Sequence, residues 1–234
     1  MSEDPFAALR QEMVAEIEAE AAFVGEQTGR PAFSEKVMQV VGEVPRHEFV
    51  PAELREFAYV NSPLPIGFGK TISQPFIVAL MTDLLDLDER DAVLEIGTGL
   101  GYQAAILSRL CKKVYSVELL EELAVQARAR LARSGCHNVT LHRGNGYHGW
   151  SAHAPYDKVI VTAAPDLIPP ALIRQLKPGG RMVIPAGIPD LQQLMLVEKS
   201  AEGRATTKEI LRVRFSQLEP DEPGEPAADR GRLA

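Results

Sequence analysis

Residues 92–101 read AVLEIGTGLG, and this run constrains the chain more than any other. A short apolar stretch over 92–96 passes directly into Gly97-Thr98-Gly99-Leu100-Gly101, and a helical pattern follows over 101–110. Glycines at that junction let a strand turn sharply into a helix and let the backbone approach a ligand closely. The same rhythm continues downstream. Residues 113–117 read as a strand, 119–133 as a long helix ending at Gly135, and 139–142 and 158–162 as further strands. A helix over 170–176, closed by Pro178-Gly179-Gly180, precedes a strand over 181–184. Strands separated by helices of this length predict βαβ units with right-handed crossovers. The expected fold is therefore α/β, a doubly wound, mostly parallel Rossmann-like sheet. Two last strands, 193–198 and 210–215, joined by the polar segment 199–208, predict a C-terminal antiparallel hairpin that closes it.

The flanks read differently. Phe6, Leu9, Met13, Val14, Ile17, Ala21 and Val24 recur at helical spacing, which predicts an amphipathic helix over 6–26. Gly25 and Gly29-Arg30-Pro31 end it, and its apolar face is expected to pack on the core or on a second copy. Ser34 is placed to cap a helix running to about Val41, which Val44-Pro45 interrupts. Residues 61–71 carry two prolines and two glycines after Asn61 and are expected to be a loop. From Glu219 the chain is rich in Pro, Gly and charge, a composition that cannot bury a core, so a disordered tail is expected. The domain reading is thus a helical arm over 1–30, an α/β domain over 31–218 and a tail over 219–234.

The glycine loop has spacing GxGxG, whereas dinucleotide folds favour GxGxxG. The second strand ends at Glu118, where a carboxylate can accept hydrogen bonds from both hydroxyls of a ribose. Glu95, just before the first glycine, can turn its charge toward an ammonium or sulfonium. Gly144-Asn145-Gly146 follows the third strand; the Asn145 carbonyl could accept from an adenine amine, or the segment could simply be a turn. Together these features point to S-adenosylmethionine (SAM).

Ahead of the sheet, residues 63–78 read PLPIGFGKTISQPFIV. Pro75 stands where a helix over 76–85 should begin, with Ser73 or Gln74 as its cap. A helix start with free N–H groups and a serine hydroxyl suits a carboxylate ligand.

Composition narrows the alternatives. A net charge of −7 argues against a nucleic-acid partner, which would require a basic stripe. The two cysteines, Cys111 and Cys136, make no CxxC and no metal spacing, and the five histidines show no ligand pattern, so no metal is expected. The acidic opening lacks the order of a secretory signal, and no apolar run reaches the ~20 residues of a membrane span. A cytoplasmic protein with no membrane partner is expected, as a monomer or homodimer.

VPRHEFVP (44–51), AYVNSPLPIGFGKTISQPFIVALMTDLL (58–85), VLEIGTGLGYQAAILS (93–108), GNGYHGW (144–150), APYDKVIVTAA (154–164) and LKPGGRMVIPAG (176–187) together resemble the bacterial protein-L-isoaspartate O-methyltransferases. The resemblance implies a SAM-binding fold and methyl esterification of isoaspartyl residues in damaged proteins and peptides. By position, Ser73 matches the family's active-site serine, and Gly97 and Glu118 match its SAM-binding positions. The candidate set is Ser73 as catalytic residue; Thr71, Ile72, Glu95, Gly97, Thr98, Gly99, Gly101, Glu118, Leu119, Asn145 and Gly146 for the cofactor; and Ser73, Gln74 and Lys70 for the substrate. The sequence departs from the family at Lys70 for Gln, Leu100 for Ser, and Asn145 for Asp. Lys70 adds a cation that can help bind an anion.

The chemistry agrees with the absence of an acid–base pair. A carboxylate titrates near pH ~4, so it is already ionised at neutral pH. Such a reaction depends mainly on alignment and on exclusion of water. Three other readings fit parts of the sequence: methylation of a normal aspartate in a peptide natural-product precursor, a nicotinamide-dependent oxidoreductase, and a non-catalytic SAM-binding module.

Overall fold

The computed structural model describes residues 4–219. An N-terminal helical layer comprises α1 (Ala7–Phe23), α2 (Gly25–Thr28) and α3 (Glu35–Glu43). A small hairpin, β1 (Leu64–Gly67) and β2 (Lys70–Ile72), leads into α4 (Pro75–Leu85). The α/β region follows as β3 (Ala92–Ile96), α5 (Tyr102–Ser108), β4 (Lys113–Glu118), α6 (Glu121–Arg133), β5 (Val139–Arg143), β6 (Tyr156–Val161), α7 (Pro170–Gln175), β7 (Leu176–Ala186), β8 (Gln192–Lys199) and β9 (Ala205–Val213).

The seven-stranded sheet has the order β5-β4-β3-β6-β7-β8-β9. Its first five strands are parallel, β8 runs antiparallel to β7, and β9 runs antiparallel to β8. The chain starts at β3, lays β4 and β5 to one side, then crosses to β6 on the other. That reversal opens a crevice at the carboxyl ends of β3 and β6, where ligands bind in open α/β sheets.

Both faces of the sheet are covered, so its strands are apolar without alternation. Val93 and Val114 join a core shared with α1, α3, α4, α5 and α6. Leu94, Ile96, Val117 and Val159 join a second core under Leu172 of α7. All of α4 is buried, in keeping with its run PFIVALMTDLL. No helix among the described residues is long and apolar enough to cross a membrane.

Several expectations are corrected. The 61–71 loop contains the β1–β2 hairpin, turned through Gly67, Phe68 and Gly69, all with positive φ. Pro178-Gly179-Gly180 does not separate helix from strand; it lies inside β7, where the pairing with β6 is irregular between Tyr156 and Lys158. The β8–β9 connection is shorter than 199–208, because β9 begins at Ala205. Ser34 does not cap α3 with its side chain; its N–H donates to Asp83 Oδ1 at 2.8 Å, and Asp83 also pairs with Arg30. Met13, Ile17 and Ala21 of α1 are wholly buried in the main core. The expected tail lies outside the described residues apart from Glu219.

Candidate active site

The end of β3 builds the first wall. Gly97 and Gly101 have φ of 92° and 97°, values that disfavour any side chain. A Cβ on Gly97 would come 2.5 Å from Thr162 Oγ1, whose hydroxyl lies 2.7 Å from the Gly97 carbonyl and 3.0 Å from that of Ile96. Thr162, just beyond β6, therefore locks the glycine loop to the neighbouring strand. On the other side, Glu118 at the tip of β4 accepts from Gly99 N–H at 2.8 Å and from Leu120 N–H at 3.0 Å.

These groups open onto a cavity at the carboxyl ends of the central strands. Gly97, Gly99, Glu118, Leu119 and Gly146 line it, together with Ile96, Val117, Leu120, Leu123, Thr162 and Ala163. The hairpin contributes Ile66, Lys70 and Thr71. A smaller cavity continues past Thr71, Gly97 and Gly99 to Ile72, Ser73, Thr98, Leu100 and Tyr102. Ser73 and Thr71 also line an outer cleft with Glu20, Gln74, Ile77, Asp190, Arg212 and Arg214. Ser73 thus stands between the inner cavity and the outer cleft.

The start of α4 is held differently from expectation. Gln74 occupies the cap position, yet neither its side chain nor that of Ser73 caps the helix. Asn61 does so: its Oδ1 accepts from Phe76 N–H at 3.0 Å. Asn61 Nδ2 and Gln74 Nε2 both donate to Glu20 Oε2, at 2.8 and 3.1 Å. Helix α1 thereby ties down the Ser73 loop, and the Ser73 hydroxyl makes no hydrogen bond to any described residue.

Three more candidates sit in surroundings other than expected. Glu95 does not present a charge to the cavity. It is 0 % exposed, and burial pushes its carboxyl up to about 8, with Ser116 hydrogen bonding opposing the rise and Glu118 adding to it. At neutral pH it is protonated, and a chain through the Ser116 hydroxyl reaches Thr98 of the glycine loop. Asn145 follows the turn reading at its carbonyl, which accepts from Tyr147 N–H at 2.9 Å. Its neighbour Gly146 packs so closely that a Cβ would come 2.2 Å from Ile96 Cγ2. Lys70 lines the inner cavity and pairs with Glu219 at 3.0 Å, away from the Ser73 cleft.

Sequence reading missed the segment 216–219, which lines the cavity. Ala164 N–H donates to the Ser216 carbonyl at 2.8 Å, and Leu218 N–H donates to the Ala164 carbonyl at 2.9 Å. It also missed Glu20 and Thr162, whose partners lie far away in sequence. Among the described residues no cluster of His, Cys, Asp and Glu could hold a metal ion.

Residues 18–222 match the protein family described as Protein-L-isoaspartate(D-aspartate) O-methyltransferase. The chain belongs to this family. Protein-L-isoaspartate O-methyltransferase 1 of Polaromonas sp. (strain JS666) is 63% identical over 224 residues, covering 96% of this chain and 95% of that protein. Protein-L-isoaspartate O-methyltransferase 2 of Syntrophobacter fumaroxidans is 55% identical, covering 93% and 88%. A solved protein-L-isoaspartate O-methyltransferase superposes with a TM-score of 0.73 at 29% identity, over 87% of this chain and 66% of that one. A Plasmodium falciparum structure in complex with S-adenosyl-L-homocysteine shares the fold, with a TM-score of 0.76 at 18% identity over 90% and 98%. As a member of the isoaspartyl methyltransferase family, the chain is a SAM-dependent enzyme of protein repair.

Proposed function

We propose that the cavity beside Glu118 holds SAM and that Ser73 receives the carboxylate of an L-isoaspartyl residue entering from the outer cleft. The position of Ser73, on both the outer cleft and the smaller cavity that continues past Gly97 and Gly99 from the Glu118 cavity, carries this reading. The inner cavity fits the cofactor by its chemistry: apolar Ile96, Val117, Leu120 and Leu123 suit a flat base, and the Glu118 carboxylate suits a ribose diol. Bound SAM supplies a methyl group on a sulfonium.

The protein's own groups have limited tasks. Thr71, Ile72, Gly97, Thr98, Gly99, Gly101, Leu119, Asn145 and Gly146 shape the cofactor wall, and Glu95 props it as a neutral group. Ser73 donates a hydrogen bond to one carboxylate oxygen and leaves the other free to attack. Gln74, held by Glu20, borders the substrate's path. Lys70 serves the cavity mouth. No group has to remove a proton, because the acceptor is already an anion. The free, buried Cys111 and Cys136 are consistent with a reducing compartment, and we place the enzyme in the cytoplasm.

The test is transfer of labelled methyl from SAM to paired peptides that differ only in isoaspartate or aspartate. Label should enter the isoaspartyl peptide alone; equal labelling of the aspartyl peptide would overturn the specificity. Ser73→Ala should lower kcat/KM about tenfold, the loss of one hydrogen bond to a charged group. SAM affinity by calorimetry should stay at the wild-type value. Unchanged turnover would remove Ser73 from the site.

A further inference from the structure

Arg46 is the largest fully buried side chain among the described residues, at 0 % exposure. It sits in a short 3-10 turn, Arg46–Phe49, directly behind the Ser73 loop. Its Nε donates to the Ala58 carbonyl at 2.8 Å, and its Nη2 donates to the Ser73 carbonyl at 2.7 Å. Nη1 is buried with no hydrogen-bond partner. The guanidinium lies 4.9 Å from the ring centre of Tyr102, which lines the same small cavity as Ser73. Among the described residues, the groups that act on its charge are Tyr102 and Tyr59, and no carboxylate is among them. Burial pushes its pKa down to about 10, which leaves it cationic at neutral pH.

A buried charge without a counter-ion is costly, and tethering two carbonyls needs only neutral donors. The cost falls when an anion occupies the space on the far side of Ser73. We propose that Arg46 is the specificity-determining charge of the acceptor site, selecting a carboxylate over a neutral group of the same shape. This rests on the placement of the acceptor at Ser73. Acting from behind the backbone, the cation attracts the carboxylate without occupying the lone pair that attacks the methyl carbon. In the transfer, the oxygen–carbon bond forms as the carbon–sulfur bond breaks, and the bonding pair goes to sulfur. The ester so formed is neutral and no longer attracted, which favours its departure. Glu20 also lines the cleft, where its carboxylate is held by Gln74 and Asn61.

The experiment compares two ligands of the intact enzyme: an isoaspartyl hexapeptide, and the same peptide with its free α-carboxylate replaced by a primary amide. The acid is followed by its KM, the amide by its inhibition constant, and S-adenosyl-L-homocysteine binding reports folding. Arg46→Gln should raise the KM of the acid about tenfold. It should leave the amide's inhibition constant and the cofactor-product affinity near wild type, so that preference for the acid narrows. Arg46→Lys, which keeps the charge and loses the planar grip on two carbonyls, should keep the preference. Equal weakening of both ligands in Arg46→Gln would reduce Arg46 to a tether and overturn the proposal. If Arg46→Gln does not bind S-adenosyl-L-homocysteine, Arg46→Lys decides: a folded variant without the preference overturns it. Failure of the Ser73 placement is distinguishable. It appears as wild-type turnover in Ser73→Ala, whereas slowed Ser73→Ala with intact preference in Arg46→Gln refutes Arg46 alone.

Discussion

Glu118→Ala is expected to weaken SAM binding about a thousandfold, or about 4.1 kcal/mol. The carboxylate already accepts from Gly99 and Leu120 N–H groups, at 2.8 and 3.0 Å, and is only 7 % exposed. Two oxygens offer about four acceptor positions, so two remain for a ribose diol. Alanine removes both ligand bonds, and hydrogen bonds to a charged group contribute ~1.5–3 kcal/mol each. It also strands two N–H groups near the cavity, so the glycine loop loosens as well. The loss should therefore exceed that from a single ligand bond. Glu118→Gln separates the contributions: one amide oxygen can still accept, while the NH2 group faces a backbone donor and cannot replace the second bond. An intermediate affinity is expected. Calorimetric titration with SAM and S-adenosyl-L-homocysteine reads both variants, and wild-type affinity in Glu118→Ala would remove Glu118 from the cofactor site.

The same residue shows what a sequence can reveal. Glu118 was legible because the end of a parallel strand is set by where its apolar run stops, and Val114, Val117 and the glycine loop all mark that point. Ala92–Ile96 was legible for the same reason: with both faces covered, its burial is continuous. The β1–β2 hairpin was not, since strands of four and three residues are too short to show alternation, and the turn depends on positive φ at Phe68. The helix start at Pro75 was correctly placed, but its cap was assigned to the nearest polar residues. The cap comes from Asn61, a tertiary contact that no local pattern encodes. Arg46 was hidden for a different reason: an arginine in a sequence reads as surface unless a partner is visible, and this one bonds to carbonyls. Local physics thus reached the proposed cofactor wall, whereas the proposed acceptor site depends on long-range contacts through Glu20, Asn61 and Arg46.

Glu95 exposes the other limit, since its position was legible and its charge was not. In the folded chain burial holds its carboxyl near 8, against an ordinary value of 4.5. Between those two values the folded state keeps a proton that the unfolded chain has lost. Stability should therefore be fully present below about pH 4.5, fall as pH rises through the window, and level off above about pH 8. The whole drop is on the order of a few kcal/mol. Glu95→Gln should abolish it, because the amide cannot ionise and has nearly the same shape. Its oxygen can still accept from Ser116, while its NH2 group inherits the unpartnered position of Oε1. The variant should match or fall slightly below the wild type at pH 5 and exceed it by a few kcal/mol at pH 8. Urea unfolding of both proteins across pH 5–9 measures the difference. Parallel curves would show that Glu95 is ionised in the folded state, with its charge stabilised by the glycine loop to which Ser116 and Thr98 connect it.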